Sequence, residues 1–279
     1  MKINVINIQQ MINNQNGWGV EFYMEEKDGK ISKESKTHRH QRTTPKDKDL
    51  LKKLSINEGD KILVFAGYYG DWAAALADAG CEVTYSDISK ELTEYCKSKF
   101  NNKIKNYIVS DYSSINLSEG QYDFTFSFEP ISDGAGSLLL GIIRSLVNKK
   151  GVILIHYPRK NKPKESYFWM EDIANMFSAK YDSREEFIEG IEQDGKVVNK
   201  NHIIRIITST EDSRKYTELF VKLIRLFNEG ERFSLDELSK VVNSTKEDIL
   251  EVIDIMKKLE AISKTDKFRK ISFKEVALD

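Results

Sequence analysis

Short apolar runs alternate with helical patterns between residues 47 and 210. The runs of strand length lie at residues 62–65, 82–85, 106–110, 124–128 and 152–156. The helical patterns lie at residues 47–54, 72–79, 90–100 and 137–147. Strands and helices that alternate at this spacing predict an α/β fold with a doubly wound, mostly parallel sheet and helices on both faces.

The pattern changes twice after the last of these strands. Residues 158–210 predict a helix at Tyr167–Phe177, a strand-like or irregular segment at Glu185–Gln193 and a strand at Asn201–Thr208. The last two segments are typical of an antiparallel hairpin that closes a sheet, and Phe187–Thr208 spans it. From residue 211 the pattern is amphipathic and helical. It predicts helices at Glu211–Asn228, Leu235–Val242 and Lys246–Leu259.

The end of the chain predicts a small hairpin after the third of these helices. Its segments are Ala261–Ser263, Lys264–Lys267 and Arg269–Phe273. Three helices followed by such a hairpin resemble a winged-helix domain. We therefore divide the chain into an N-terminal arm (1–46), a Rossmann-like domain (47–210) and a winged-helix domain (211–279).

The third helix of the winged-helix region carries acidic residues where a DNA-reading helix needs cations or amides. Its exposed face holds Glu247, Asp248, Glu251 and Asp254. Phosphates would repel four carboxylates, so sequence-specific DNA binding is disfavoured. The following hairpin is basic. We expect this domain to form a protein interface, either a homodimer contact or a lid beside a cleft.

The first 46 residues are polar and mixed. Asp28-Gly29 predicts the turn of a short hairpin. The stretch Lys33–Lys48 is strongly basic and is either a solvated connector or an arm that covers a cleft or contacts an anionic substrate. His38 and His40 lie within it, but no further ligand is nearby, so we expect no metal site.

Composition narrows the class of protein. The 279 residues are 40% hydrophobic and 31% charged, which describes a folded globular chain. Lys and Arg number 43 against 44 Asp and Glu, which argues against a uniformly basic nucleic-acid binder. Cys81 and Cys96 have no metal-ligand spacing and predict core thiols in a reducing compartment. Because no apolar run is long enough to span a membrane, we expect a cytoplasmic protein.

The segment from Lys61 to Asp87 carries the clearest functional signal. A strand leads into a turn with Gly67 and Gly70, a helix of small residues follows, and a second strand ends at Asp87. In such βαβ units a carboxylate after the second strand accepts hydrogen bonds from a nucleotide ribose. The other interpretation of this carboxylate is help in capping the helix after Ser89.

This segment resembles the first half of a class I S-adenosylmethionine (SAM)-dependent methyltransferase. That family carries an E/D-x-G-x-G-x-G turn after the first strand and an acid after the second. Aligned on Gly70, the leading acid falls on Val64 and two of the glycines fall on Ala66 and Tyr68. Tyr68 and Tyr69 either fill part of the pocket or point outwards.

The resemblance implies SAM as the cofactor and no metal. Asp87 would bind its ribose, Asp111 and Tyr112 its adenine, and the Phe65–Gly70 turn its methionine portion. The implied cofactor-binding residues are Phe65, Ala66, Gly67, Tyr68, Gly70, Asp87, Ile88, Asp111, Tyr112 and Glu129.

Glu129 and His156 are the candidate catalytic residues. Glu129 follows a strand at the position that faces the transferred methyl group in the resembled family, where a carboxylate can take a proton from the nucleophile. Each candidate also has a structural interpretation. Glu129 can accept backbone hydrogen bonds in its loop, and His156 can be a satisfied residue at the sheet edge. Asp111 can equally form a turn.

Two functions follow from these observations. The first is a SAM-dependent methyltransferase that acts on a small molecule or RNA, and the retained Gly70, Asp87 and Asp111 favour it. The second is a catalytically inactive regulator or scaffold that acts through the winged-helix domain, and the degenerate turn favours that one. No motif selects the acceptor atom.

Overall fold

The computed structural model describes most of the chain. The described residues are 2–6, 26–27, 30–31, 43–87, 89–110, 115–117, 120–128, 141–156, 169–193, 196–228, 233–264 and 273–277.

The elements follow the predicted alternation. The strands are β1 (Lys2–Ile6), β2 (Glu26–Lys27), β3 (Lys30–Ile31), β4 (Thr43–Thr44), β5 (Lys61–Phe65), β6 (Glu82–Asp87), β7 (Asn106–Val109), β8 (Phe124–Phe128), β9 (Gly151–His156), β10 (Lys180–Gln193), β11 (Lys196–Thr208) and β12 (Phe273–Ala277). The helices are α1 (Leu50–Leu54), α2 (Asp71–Asp78), α3 (Lys90–Phe100), α4 (Trp169–Met176), α5 (Glu211–Asn228), α6 (Leu235–Val242) and α7 (Lys246–Lys264). Residues 141–145 are also helical.

The main sheet has the strand order β4-β10-β11-β9-β8-β5-β6-β7. Strands β5 to β9 pair in parallel, and β11 lies antiparallel between β9 and β10. The chain proceeds from β5 outwards to β6 and β7, then returns to the other side of β5 for β8 and β9. The junction of β5 and β8 is therefore the switch point, where open α/β sheets bind ligands at the carboxyl ends of the strands. The predicted doubly wound, mostly parallel sheet is confirmed.

Hydrophobic cores cover both faces of this sheet. In β9, Ile153 and Ile155 face one side and Val152 and Leu154 the other, as the two-residue repeat of a strand requires. The first side packs against α1, α2 and α3. The second side packs against α4 and against the C-terminal helices α5, α6 and α7. These C-terminal helices thus share one buried cluster with the sheet.

Side-chain caps fix several helix starts. The Ser89 hydroxyl accepts from the Leu92 amide at α3, and the Thr245 hydroxyl accepts from the Asp248 amide at α7. Ser234 and Glu237 form a reciprocal capping box at α6. Cys81 and Cys96 are both buried free thiols, as expected.

The predicted wing is wrong in its first strand. Residues 261–263 belong to α7, which continues to Lys264 because neither glycine nor proline interrupts it and Ala261 favours helix. Residues 265–272, which hold most of the rest of that hairpin, lie outside the described residues. β12 instead pairs antiparallel with β1 at the other end of the chain. The sequence analysis missed β1, although Ile3 and Val5 alternate with polar residues there.

Other boundaries shift by a few residues. α1 begins at Leu50, because the Asp47 carboxylate accepts from the Asp49 amide before the helix starts. β10 begins at Lys180 and is longer than predicted. The short strands β2 and β3 pair as the Asp28-Gly29 turn requires, with Lys27 opposite Lys30. In the described part of the chain, no helix has the length and apolar character that a membrane span needs.

The packing of α5 on the sheet can be tested at Phe220, which is fully buried and meets Phe177 edge to face at 5.6 Å. Phe220→Ala should lower the free energy of unfolding by about 3–5 kcal/mol, the usual loss for a buried phenylalanine. Urea unfolding measures this loss. The control is Lys222→Ala, an exposed position on the same helix, which should change it by less than about 0.5 kcal/mol. Equal effects of the two substitutions would contradict the docking of α5.

Candidate functional site

A cleft opens at the switch point between the carboxyl ends of β5 and β8. We call it the switch-point cleft; it is small, with an internal volume of about 10 Å³. Its lining residues are Val64, Ala66, Gly67, Tyr68, Asp71, Trp72 and Phe128. The cleft therefore lies where the parallel sheet places ligands, and Ala66, Gly67 and Tyr68 of the predicted cofactor turn form one wall.

Hydrogen bonds tie the turn at residues 66–70 to the end of β6. The Gly67 amide donates to the Ser86 carbonyl at 3.0 Å, and the Tyr68 amide donates to Asp87 Oδ2 at 3.1 Å. The Tyr85 hydroxyl donates to the Tyr68 carbonyl at 2.6 Å. These bonds hold Ala66 and Tyr68 at φ values of 41° and 47°, which cost about 1–2 kcal/mol each in residues with a Cβ.

Gly67 and Gly70 are required by packing. A Cβ at Gly67 would lie 2.2 Å from the Tyr85 ring, and a Cβ at Gly70 would lie 2.2 Å from the Cys96 sulfur. Gly70 also has a φ of 77°, which favours glycine. The two glycines thus let β6 and α3 approach the turn closely.

The two tyrosines of the turn point in different directions. Tyr68 lines the switch-point cleft, whereas Tyr69 is buried and meets Tyr95 of α3 edge to face at 6.0 Å. Phe65 packs into a buried cluster beside Leu63 and Tyr122. Its assignment as a cofactor-binding residue stays a prediction.

Asp87 ends β6 with only 5% of its surface exposed. Besides the Tyr68 amide on Oδ2, its Oδ1 accepts from the Ser89 amide at 2.9 Å. Asp87 therefore supports the start of α3 at Ser89, as the capping interpretation expected. It also lies beside the cofactor turn. The assignment of Asp87 to the ribose of a cofactor stays a prediction.

Asp71 is a second buried acid at the cleft, and the sequence analysis gave it no role. It begins α2 directly after Gly70 and is 6% exposed. Its Oδ1 accepts from the Thr44 hydroxyl at 2.7 Å, and Oδ2 is buried with no hydrogen-bond partner. Burial, and then the carboxylates of Asp71 and Asp87, raise the pKa of the Cys96 thiol. Cys96 therefore stays a neutral packing residue.

Aromatic rings form the floor of the cleft. Trp72 stacks on Phe126 and Phe128 with centroid distances of 5.7 and 4.7 Å. His202 of β11 meets Trp72 edge to face at 5.9 Å. Burial lowers the pKa of His202 to about 4, so this ring is neutral near pH 7. The sequence pattern placed His202 on a strand. It did not show that the His202 ring lies beside the cleft.

The β10–β11 hairpin extends past the described end of β9, where His156 pairs with Ile203. β4 pairs with the tip of this extension at Gln193, and the Thr44 side chain reaches Asp71. The Lys53 ammonium donates to the Phe187 carbonyl on the same extension at 2.8 Å. The described end of the basic segment 33–48 therefore lies beside the cleft.

His156 is buried at the end of β9 with the Arg205 guanidinium 2.5 Å from Nε2 and 3.2 Å from Nδ1. This contact agrees with the structural interpretation of His156, in which its ring has a hydrogen-bonding partner within the sheet. The assignment of His156 as a base stays a prediction. Four other predicted site residues lie outside the described residues and also stay predictions. They are Ile88, Asp111, Tyr112 and Glu129.

Comparison with known proteins assigns this region to a class. Residues 65–133 match the methyltransferase domain family. This match, which covers the cofactor turn, β6 and β8, supports a SAM-dependent methyltransferase with S-adenosylmethionine as its cofactor. No curated protein matches the chain in sequence.

The chain is also similar to solved structures. A SAM-dependent methyltransferase from Aquifex aeolicus is 18% identical with a TM-score of 0.44, over 60% of this chain and 90% of that one. A magnesium protoporphyrin IX methyltransferase from Synechocystis, solved with bound SAM, is 13% identical with a TM-score of 0.40, over 55% and 71%. Apart from the two-residue β4, the seven strands of the sheet resemble the class I methyltransferase fold.

The residues present fit the cofactor. A carboxylate stands at the end of β6, where βαβ units bind a ribose, and the buried Oδ2 of Asp71, a residue that lines the cleft, has no donor among the described residues. A cofactor that carries hydroxyls and a cation supplies donors for both.

Gly70 and Gly59 offer a matched pair for testing the turn. Both have positive φ, 77° and 83°, but a Cβ at Gly59 has no atom within 4 Å. Gly59→Ala should lower the free energy of unfolding by about 1–2 kcal/mol, because a residue with a Cβ is strained in a left-handed backbone. Gly70→Ala should lower it by about 1–3 kcal/mol more, because the Cys96 side chain and α3 must also move. Urea unfolding of both variants measures the difference; equal losses would contradict the contact between the turn and α3.

His202 should make stability depend on pH. Its pKa is depressed from 6.5 to about 4, so the unfolded chain binds the extra proton between these values. Stability from this group is therefore complete above pH 6.5 and is lost as the pH falls towards 4, by about 2 kcal/mol at pH 5. His202→Gln should remove this part of the pH dependence in urea unfolding at pH 5 and 7. Parallel curves for variant and wild type would contradict the assignment.

Proposed function

We propose that the protein transfers the methyl group of S-adenosylmethionine to a small-molecule acceptor in the switch-point cleft. The observation that carries the proposal is the location of this cleft. It lies at the switch point of a doubly wound sheet, between a turn tied to Asp87 and an aromatic floor. A ligand there contacts the ends of several strands at once.

S-adenosylmethionine supplies an electrophilic methyl group when bound. Asp87 would accept hydrogen bonds from the ribose hydroxyls, and the 66–70 turn would lie along the methionine portion. Asp111, Tyr112 and Ile88 are proposed beside the adenosine, as the family resemblance implies. Trp72 and Phe128 close the cleft from below and exclude water from the reacting groups.

Methyl transfer requires little acid–base chemistry from the protein. In-line attack on the sulfonium methyl needs the nucleophile held in line and its proton removed. Glu129 is proposed for that proton, since it directly follows β8, whose last residue Phe128 lines the cleft. The contact between His156 and Arg205 makes His156 the weaker candidate.

The charge of the cleft supports a small acceptor over RNA. Among the described residues that line it, Asp71 alone carries a formal charge near neutral pH, and that charge is negative. RNA carries a phosphate on every nucleotide and binds through positive surface. A neutral or cationic small molecule suits this lining better. A homodimer contact through residues 211–279 and a cytoplasmic location remain predictions.

Cofactor binding is the first test. Calorimetric titration of the full chain with S-adenosylmethionine and S-adenosylhomocysteine should give micromolar dissociation constants. Absence of binding to either would contradict the proposal and favour the inactive regulator instead.

Methyl transfer is the second test. The full chain should transfer tritium from methyl-labelled SAM to the small-molecule fraction of a cell extract, with unlabelled S-adenosylhomocysteine as the inhibitor control. Label in the RNA fraction would overturn the proposed acceptor class. Binding without any transfer would overturn the proposed activity.

A further inference from the structure

The Asp71 carboxylate is held from one side by parts of the chain that are distant in sequence. The Thr44 hydroxyl donates to Oδ1 at 2.7 Å, and the Lys99 ammonium lies 3.5 Å from the same oxygen. Thr44 belongs to β4 and Lys99 to α3. Together they fix the carboxylate so that its two oxygens have different surroundings.

Among the residues that the structure describes, the second oxygen, Oδ2, has no such partner. It is buried without a hydrogen bond from them, and Asp71 lines the switch-point cleft. A buried acceptor without a donor is costly, and more so when it is charged. A ligand that brings an N–H or O–H donor would therefore satisfy Oδ2, and a cationic donor satisfies a carboxylate best.

The turn itself lacks the acid that the resembled family carries there. Val64 occupies that position, and its apolar side chain also lines the cleft. Asp71 is the acid that faces the same space. Three aromatic side chains surround that space, and aromatic rings attract cations. They are Tyr68, Trp72 and Phe128.

We infer that Asp71 Oδ2 accepts hydrogen bonds from the α-ammonium group of S-adenosylmethionine and takes the place of the acid missing at Val64. The cofactor has two cationic groups, and of these only the ammonium can donate a hydrogen bond to Oδ2, because the sulfonium has no N–H. Thr44 is a positioning residue, because it holds Oδ1 and does not itself face the ligand. This inference rests on the proposed function.

The test needs a ligand that differs from the cofactor product only in the ammonium group. S-adenosylhomocysteine has the ammonium, and its deaminated analogue has hydrogen in its place. The full-length wild-type protein should bind S-adenosylhomocysteine about 10- to 100-fold more tightly in calorimetry, the range expected for a charged hydrogen bond. Equal affinities would overturn the inference without any substitution.

Substitution then assigns the effect to a residue. Asp71→Asn should weaken S-adenosylhomocysteine binding by about 10- to 100-fold and leave binding of the deaminated analogue within about 2-fold. Asp78→Asn is the matched control, since it removes the same charge at the exposed end of α2, where Asp78 pairs with Lys103. That control should bind both ligands like the wild type. Thr44→Val should weaken only S-adenosylhomocysteine binding, by a smaller factor.

The outcomes separate this inference from the proposed function. If Asp71→Asn binds S-adenosylhomocysteine like the wild type, the vacancy belongs to a water molecule or an alkali ion, and the inference is wrong although the proposed function stands. If Asp71→Asn weakens both ligands equally, Asp71 supports the fold alone, which also overturns the inference. If the wild type binds neither ligand, the proposed function itself fails.

Discussion

The attachment of the 66–70 turn to the end of β6 is the constraint on which the rest of the site depends. Three bonds hold it: the Gly67 amide to the Ser86 carbonyl, the Tyr68 amide to Asp87, and the Tyr85 hydroxyl to the Tyr68 carbonyl. They stabilise a left-handed backbone at two non-glycine residues. The degenerate glycine motif therefore does not prevent the turn from forming, because β6 supplies the contacts that fix it.

The same attachment arranges the charges of the site. It sets Asp87 behind the turn, where both carboxylate oxygens already accept backbone amides. Asp71 lines the cleft with Oδ1 held by Thr44 and Lys99, and its Oδ2 is buried without a hydrogen bond from the described residues. Two acids beside the same turn thus have different surroundings. Asp87 fixes the turn, whereas Asp71 is the acid that we propose for the ammonium group of the cofactor.

The second face of the sheet ties the C-terminal helices to the catalytic side of the fold. α5 and α7 pack into the cluster that includes Leu154 of β9 and Phe177. The neighbouring residues of β9, Ile153 and Ile155, pack on the side of α2. β1 joins β12, so the two ends of the chain meet.

The sequence by itself determined the local elements and the strand ends that carry the site. Alternation and helical periodicity placed β5, β8 and α5 correctly, and Asp87 was predicted as a site residue because it stands at a strand end in a βαβ unit. These signals involve residues at most a few positions apart, so they can be read from the local sequence. The extension of α7 over Ala261 was missed because no local breaker marks where a helix ends when tertiary packing allows it to continue.

Only the tertiary structure decided what each side chain contacts. Thr44 reaches Asp71 across 27 positions of the chain, and Arg184 reaches the Lys53 carbonyl across 131. The Tyr85 ring against Gly67 and the His202 ring against Trp72 likewise join separate elements. Such contacts follow from how helices pack on a twisted sheet, which no residue specifies through its neighbours in sequence. The vacancy at Asp71 Oδ2 could therefore be seen only once the fold had brought β4, α2 and α3 together.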